Sequence, residues 1–149
     1  MEEQDEAYNN AFIEMNKEEP DLEKAFSLLE TSLASGNPKA AYAIGTWYVF
    51  GRYVKRDLKN GIDLIRKAAK QNVPDALFDM AVFYETGRGV RKNLRLAMEH
   101  YLRAALLGEK QSVYEVGRCY YYGIGVEINK RLARIWLERA QELGVAADP

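Results

Sequence analysis

The sequence predicts an all-α fold, a solenoid of four helix pairs with about eight helices, and three observations predict it. Tyr48, Tyr84 and Tyr120 lie 36 residues apart, as do Gly51, Gly87 and Gly123, and as do Ala68, Ala104 and Ala140. A fixed period of this size marks a stack of supersecondary units that share a continuous core. Each period carries two stretches with apolar residues at helical spacing, separated by glycines. Small residues recur where two helices must approach closely: Gly45, Ala81 and Gly117 in the first helix of a period, and Ala68, Ala104 and Ala140 in the second.

The chain reads as a single domain of four periods. The first, residues 1–36, is degenerate. Shifted by 36 residues, Phe12 stands at the Tyr48 position, Asp21 at Asp57, Ala25 at Gly61, Ser32 at Ala68 and Gly36 at Asn72, while Met15 takes the place of the turn glycine. This copy is expected to fold as a divergent N-terminal cap with an acidic outer side. In the second period, 37–72, a first helix over 40–50 ends at Gly51, Asp57 caps, and a second helix covers 58–70. The third, 73–108, is the clearest. Ala76, Met80, Phe83 and Tyr84 fall at helical spacing, and Gly87 and Gly89 then break the helix, because glycine takes the left-handed conformation that ends one. Asn93 caps the second helix, which runs from about Leu94 to Leu107 with Ala97, Tyr101 and Ala104 on one face. The fourth, 109–144, repeats the layout with helices over 112–122 and 130–143 around Gly123-Ile124-Gly125 and Asn129. Residues 145–149 form a short tail.

Composition narrows the classes of function. The chain has 149 residues, 48% of them hydrophobic, enough for one folded domain and too apolar for disorder. The net charge of −1 names no partner, but its distribution is uneven. Residues 1–30 hold ten acids against two lysines (2 − 10 = −8), so the rest carries +7. A single cysteine, Cys119, excludes an internal disulfide framework and fits a reducing compartment. The start Met-Glu-Glu-Gln-Asp-Glu is the opposite of a basic signal-peptide start. The sequence has no run of eighteen apolar residues, the length needed to span a membrane. A cytoplasmic protein without membrane contact is expected.

Three segments carry a family resemblance. They are Ala-Tyr-Ala-Ile-Gly-Thr-Trp-Tyr-Val-Phe-Gly-Arg-Tyr-Val (41–54), Met-Ala-Val-Phe-Tyr-Glu-Thr-Gly-Arg-Gly-Val (80–90) and Val-Gly-Arg-Cys-Tyr-Tyr-Tyr-Gly-Ile-Gly-Val (116–126). Over residues 40–144 the chain resembles the Sel-one-like repeat (SLR) family, relatives of the tetratricopeptide repeats. Tyr53 departs from the second turn glycine of that pattern, Gly61 from an alanine, and Asn93 and Asn129 from an aspartate. The resemblance implies a right-handed α/α superhelix whose first helices line a concave groove. It also implies a protein–protein interaction module, of the kind that serves in bacteria as an adaptor or scaffold or as an immunity protein neutralising a toxin.

No catalytic, cofactor or metal site is expected. His100 is the sole histidine and stands at the position of Leu64 and Trp136, which suits a half-buried helix residue better than a base. Cys119 stands where other copies have Trp47 and Phe83, which suits a packed thiol. One histidine and one cysteine are too few for a zinc site. Gly87-Arg88-Gly89 and Gly123-Ile124-Gly125 follow helices rather than strands, so they lack the context of a phosphate loop.

Binding surfaces are better supported. With the groove implied by the resemblance, the partner-facing residues are Tyr42, Thr46, Val49 and Phe50, then Phe78, Val82 and Glu85, then Tyr114, Arg118, Tyr121 and Tyr122. Tyr42, Phe78 and Tyr114 match a frequent aromatic of the repeat and equally suit packing. Val49, Phe50, Tyr121 and Tyr122 lie outside the repeating skeleton, and tyrosine and arginine are enriched at binding hot spots. Arg52, Lys55, Arg56 and Lys59 recur as Arg88, Arg91, Lys92 and Arg95 and then as Lys130, Arg131 and Arg134. This basic ridge gives an alternative, nucleic-acid binding, although only Tyr53 is interleaved for base stacking. Self-association through the last helix is a further expectation, on a face carrying Ile135 and Leu143.

Overall fold

A computed structural model describes residues 5–145. Among them are eight α-helices and no strand. They are α1 (Glu6–Met15), α2 (Leu22–Ala34), α3 (Pro38–Phe50), α4 (Leu58–Lys70), α5 (Pro74–Thr86), α6 (Leu94–Leu106), α7 (Lys110–Tyr122) and α8 (Lys130–Glu142). The fold is an all-α helical repeat. It divides into two compact units, one ending at Gln71 and the other beginning at Asn72. In the first, α1 pairs with α2, α3 with α4, and α2 packs on α3. In the second, α5 pairs with α6, α7 with α8, and α6 packs on α7. Glu2, Glu3 and the tail beyond Val145 lie outside the described residues.

The caps explain where the second helices start. The side chains of Asp21, Asp57, Asn93 and Asn129 accept hydrogen bonds from the amides of Lys24, Asn60, Leu96 and Leu132, satisfying donors that the helix cannot. The first helices start two residues earlier than the apolar spacing predicts. Pro38 and Pro74 occupy the first turn, where a missing N–H costs nothing. Apolar periodicity marks the buried face and not that opening turn.

The glycine turn has a main-chain frame. Gly51, Gly87 and Gly123 adopt φ of 68°, 69° and 74°. The chain then returns so that the amides of Asp57, Asn93 and Asn129 donate to the carbonyls of Tyr48, Tyr84 and Tyr120, each at 2.9 Å. Helix pairing within a repeat needs equally little side chain at the crossing. A Cβ on Gly61 would lie 2.7 Å from the Gly45 carbonyl oxygen and 2.7 Å from Val49 Cγ2, so the alanine of the family pattern has no room there.

The first pair corrects the register expected for it. Phe12 does not stand where Tyr48 does, since it is exposed whereas Tyr48 packs on the core. Met15, expected in place of the turn glycine, ends α1 and packs against that core. With no glycine turn, the Asp21 amide finds the Glu14 carboxylate at 3.1 Å instead of a main-chain carbonyl. Glu14 is 5% exposed and paired with Lys17 at 2.6 Å and Lys24 at 3.7 Å. The hydrogen bonds from Lys17 and the Asp21 amide hold its carboxyl below the ordinary value. Asp5 caps α1 and also accepts from Ser32 and Asn37, tying the start of α1 to the junction of α2 and α3.

Candidate protein-binding surfaces

In the first unit, Tyr42 and Thr46 are half-buried on α3, and the Thr46 hydroxyl donates to the Ala43 carbonyl at 2.7 Å. Val49 is a correction. It is 2% exposed, with its methyl over Gly61, and belongs to the α3–α4 contact rather than to a partner-facing surface. The glycine that lets the helices close draws this side chain inward. Phe50, one residue on, is 75% exposed. Tyr53 holds φ of 62° where other copies have glycine, and its ring lies 5.5 Å from that of Phe26.

In the second unit the structure brings Glu85 of α5 and Arg118 of α7 together. Arg118 Nη2 donates to Glu85 Oε1 at 2.6 Å, and its Nε donates to Glu115 Oε2 at 2.6 Å. The Tyr101 hydroxyl donates to the same Glu85 oxygen at 2.9 Å. Burial by itself would raise the Glu85 carboxyl, but the Arg118 and Tyr101 hydrogen bonds outweigh it and hold the group below the ordinary 4.5. Burial and the Glu85 charge push the Tyr101 phenol above its ordinary range. Burial would lower the Arg118 guanidinium, but the bonds to Glu85 and Glu115 prevail and raise it. The cluster is a lock between α5 and α7, with the Arg118 guanidinium held between two carboxylates and the Tyr101 hydroxyl donating to one of them.

Around this lock, Phe78 stacks edge-on to Tyr101 at 5.8 Å, and Phe78 and Val82 are half-buried against the core of the unit. Tyr114 is half-buried. Tyr121 and Tyr122 meet edge to face at 4.8 Å. Lys130 Nζ sits 3.4 Å from the Tyr121 ring centre, a cation–π contact, and Tyr122 is 52% exposed. Sequence reasoning placed Glu85 and Arg118 on one surface without pairing them, and it passed over Tyr101 and Glu115. The signal for Tyr101 is that its counterparts in other copies are Ile65 and Leu137, so a hydroxyl stands where the repeat asks only for apolar bulk.

His100 is half-buried, with Nδ1 2.8 Å from the Leu96 carbonyl and its ring 5.2 Å from Tyr84; burial lowers its pKa. Cys119 is fully buried, and burial pushes its thiol up to about 12. Both are packed residues, as expected. Much of the basic ridge is engaged locally. Arg52 lies over Trp47 at 4.8 Å, Arg56 donates to the Val49 carbonyl at 3.3 Å, Lys59 pairs with Asp63 and Arg95 with Glu99.

The face of α8 differs from the expectation too. Met98 and Tyr101 of α6 are 3% and 2% exposed where α7 packs, with Leu102 and Ala105 at the margin. One period on, the same positions of α8 are Arg134, Leu137, Glu138 and Gln141, and Lys130 replaces Leu94. Ile135 and Leu143 correspond to Glu99 on α6 and Leu107 at its C-cap, both exposed, so they do not form the stacking face. That face and Tyr121 enclose a cleft of about 560 Å3.

Four helix pairs, three of them sharing one glycine turn, define a class, and comparison identifies it. The Sel1 repeat model matches residues 17–37, 38–73, 74–109 and 110–145. The chain belongs to the Sel1 repeat family. Sel1 repeats are protein-interaction modules and generally non-catalytic. Among solved structures the chain is similar to a Sel1 repeat protein from Oxalobacter formigenes, at 33% identity, covering 78% of this chain and 87% of that one with a TM-score of 0.74. It is similar to a protective antigen of uropathogenic Escherichia coli with an SLR fold, at 26% identity over 93% of this chain and 30% of that one, TM-score 0.86. An immunity protein from Pseudomonas aeruginosa shares the fold at 21% identity, over 97% of this chain and 54% of that one, TM-score 0.65. The chain therefore spans less than a third of the antigen and about half of the immunity protein. Comparison with curated proteins gives no match. Among the described residues no helix is long and apolar enough to cross a membrane.

Proposed function

We propose that this chain binds a protein partner through the first-helix face of its second unit, with Tyr121 and Tyr122 as the aromatic contacts and Arg118 and Glu85 as the polar ones. The exposed Tyr122 beside a locked Arg118–Glu85 pair carries the reading. Tyrosine and arginine dominate binding energetics, and a helix face already fixed by ion pairs loses little freedom on association. Phe78, Val82 and Tyr114 form the half-buried floor. Phe50, with Tyr42 and Thr46 beside it on α3, offers a separate contact in the first unit. The partner class we favour is a toxin, which makes the chain an immunity protein; an adaptor role in complex assembly is the other form of the same activity. Nucleic acid is less well supported, because the acids Asp63, Glu99 and Glu138 stand within the basic ridge and only Tyr53 is interleaved there for base stacking.

The test is capture of partners from the native cell by the wild-type chain, by Tyr121→Ala/Tyr122→Ala and by Tyr122→Ala alone. The captured protein is identified by mass spectrometry and its affinity measured. A loss of tenfold or more is expected, and an unchanged affinity rejects the surface. Co-expression with the captured partner separates the roles: restored growth of cells poisoned by it indicates immunity, and no toxicity indicates an adaptor.

A further inference from the structure

We propose that the end face formed by α8 and Tyr121 is a docking site for an acidic amphipathic helix of a protein partner. The proposal rests on the reading of the chain as a protein-binding module. The equivalent face of α6 already shows what it is shaped to hold, since α7, a helix, lies across it. On α8 the groove keeps an apolar floor, the Tyr121 ring and Leu137, but its walls carry Lys130, Arg131 and Arg134. Lys130 is the cation above Tyr121. Arg134 faces Glu138 at 3.9 Å, with side chains 78% and 65% exposed, a loose pair open to competition.

An ordinary repeat helix with an apolar face does not suit this site. It would bury Arg134 where Met98 is buried in α6, with only the 3.9 Å contact to Glu138 to offset its charge, and burying a weakly paired charge is costly. An occupant that places carboxylates beside Lys130, Arg131 and Arg134 and an apolar side chain against Leu137 satisfies both the walls and the floor. A phosphate backbone suits it less well, because Glu138 stands in the wall and the floor is apolar. Charge complementarity of this kind raises association rates and excludes wrong partners.

The test uses the full chain and three labelled probes in fluorescence anisotropy. The first is a helix-stabilised peptide of about four turns with leucines on one face and glutamates flanking them, the length of a typical protein helix. The second has lysine in place of each glutamate, and the third is a single-stranded RNA. The acidic peptide is expected to bind saturably, to weaken with salt and to lose at least tenfold in affinity with Lys130→Glu/Arg134→Glu. These exposed substitutions leave the helical circular dichroism unchanged, and Lys130→Gln/Arg134→Gln gives an intermediate loss. Absence of saturable binding, equal binding of the lysine peptide, tighter binding of the RNA, or indifference to the charge reversal overturns the proposal. So does a dimer that depends on Lys130 and Arg134 and resists displacement by the peptide, because the occupant is then a second copy. Failure here with partner capture still dependent on Tyr122, which does not line the end face, removes only the end-face site. Success here with capture indifferent to Tyr122→Ala removes only the first-helix face.

Discussion

Glu85 on α5 and Arg118 on α7 meet at 2.6 Å although they are 33 residues apart, one period less one helical turn. The pair joins successive first helices of the second unit, and the Tyr101 hydroxyl locks it from α6. Removing Arg118 leaves the Glu85 and Glu115 carboxylates half-buried without their cation. Arg118→Met is therefore expected to cost about 3 kcal/mol, and Tyr101→Phe, which removes one donor, about 1 kcal/mol. In urea denaturation the double variant Glu85→Gln/Arg118→Met should be less destabilised than the sum of the single variants, by about 1 kcal/mol or more. Strict additivity refutes the coupling.

The same lock predicts an acid response. The Glu85 carboxyl is held lower in the folded chain than in the unfolded one, so the unfolded chain binds more protons as pH falls. The stabilisation is complete above the ordinary value of 4.5 and is lost progressively as pH drops below it. Melting temperature followed from pH 6 to pH 3 should fall less steeply for Glu85→Gln than for the wild type. Parallel curves exclude a contribution from Glu85.

Gly125 and Gly108 make a matched pair for a steric test. Both have positive φ, 70° and 94°. A Cβ on Gly125 would lie 2.1 Å from the Leu94 carbonyl oxygen, while nothing lies within 4 Å of one on Gly108. Gly108→Ala pays only for its backbone conformation, about 1 kcal/mol. Gly125→Ala must in addition push the turn off the start of α6 and is expected to cost about 3 kcal/mol or more. Equal melting temperatures contradict the close approach.

Val49 and Phe50 are neighbours with opposite fates. Val49→Ala opens a gap over Gly61 and is expected to cost about 1–3 kcal/mol with no change in partner affinity. Phe50→Ala is expected to leave stability within about 0.5 kcal/mol of wild type. Any effect of Phe50→Ala should therefore appear in partner binding alone, as measured by calorimetry.

Cys119 supplies a probe of opening. Its thiol is fully buried and raised to about 12, so little thiolate exists at neutral pH and none is accessible. Alkylation by iodoacetamide in native buffer should be slower than in urea by two orders of magnitude or more. Reaction at the rate of a free thiol indicates that the α6–α7 packing is not formed.

The sequence made some of this legible and hid the rest for reasons that can be named. The bounds of α4 were readable at both ends because Asp57 caps one and apolar spacing stops at the other. The pairing of Glu85 with Arg118 was hidden because it links different positions of successive repeats, whereas a period compares like with like. The register of α1 was misread because six residues after Met15 do the work of a glycine turn, and the substitute contact comes from Glu14, a side chain that no period announces. Val49 looked partner-facing because the alignment treats each helix alone. Its burial follows from Gly61, twelve residues away on the facing helix.

The three returns from Tyr48, Tyr84 and Tyr120 to Asp57, Asn93 and Asn129 join main chain to main chain. Such bonds are blind to the side chains strung between them. Apart from the positive-φ positions Tyr53, Gly89 and Gly125 and the core-packed Val54, Ile124 and Val126, the intervening stretches Arg52–Arg56, Arg88–Lys92 and Ile124–Ile128 can therefore be rewritten by mutation while the helices on either side stay where they are. The first repeat lacks that freedom, because its return passes through one carboxylate, Glu14. Evolution of new surface chemistry in this chain has three permissive segments and one that tolerates little change.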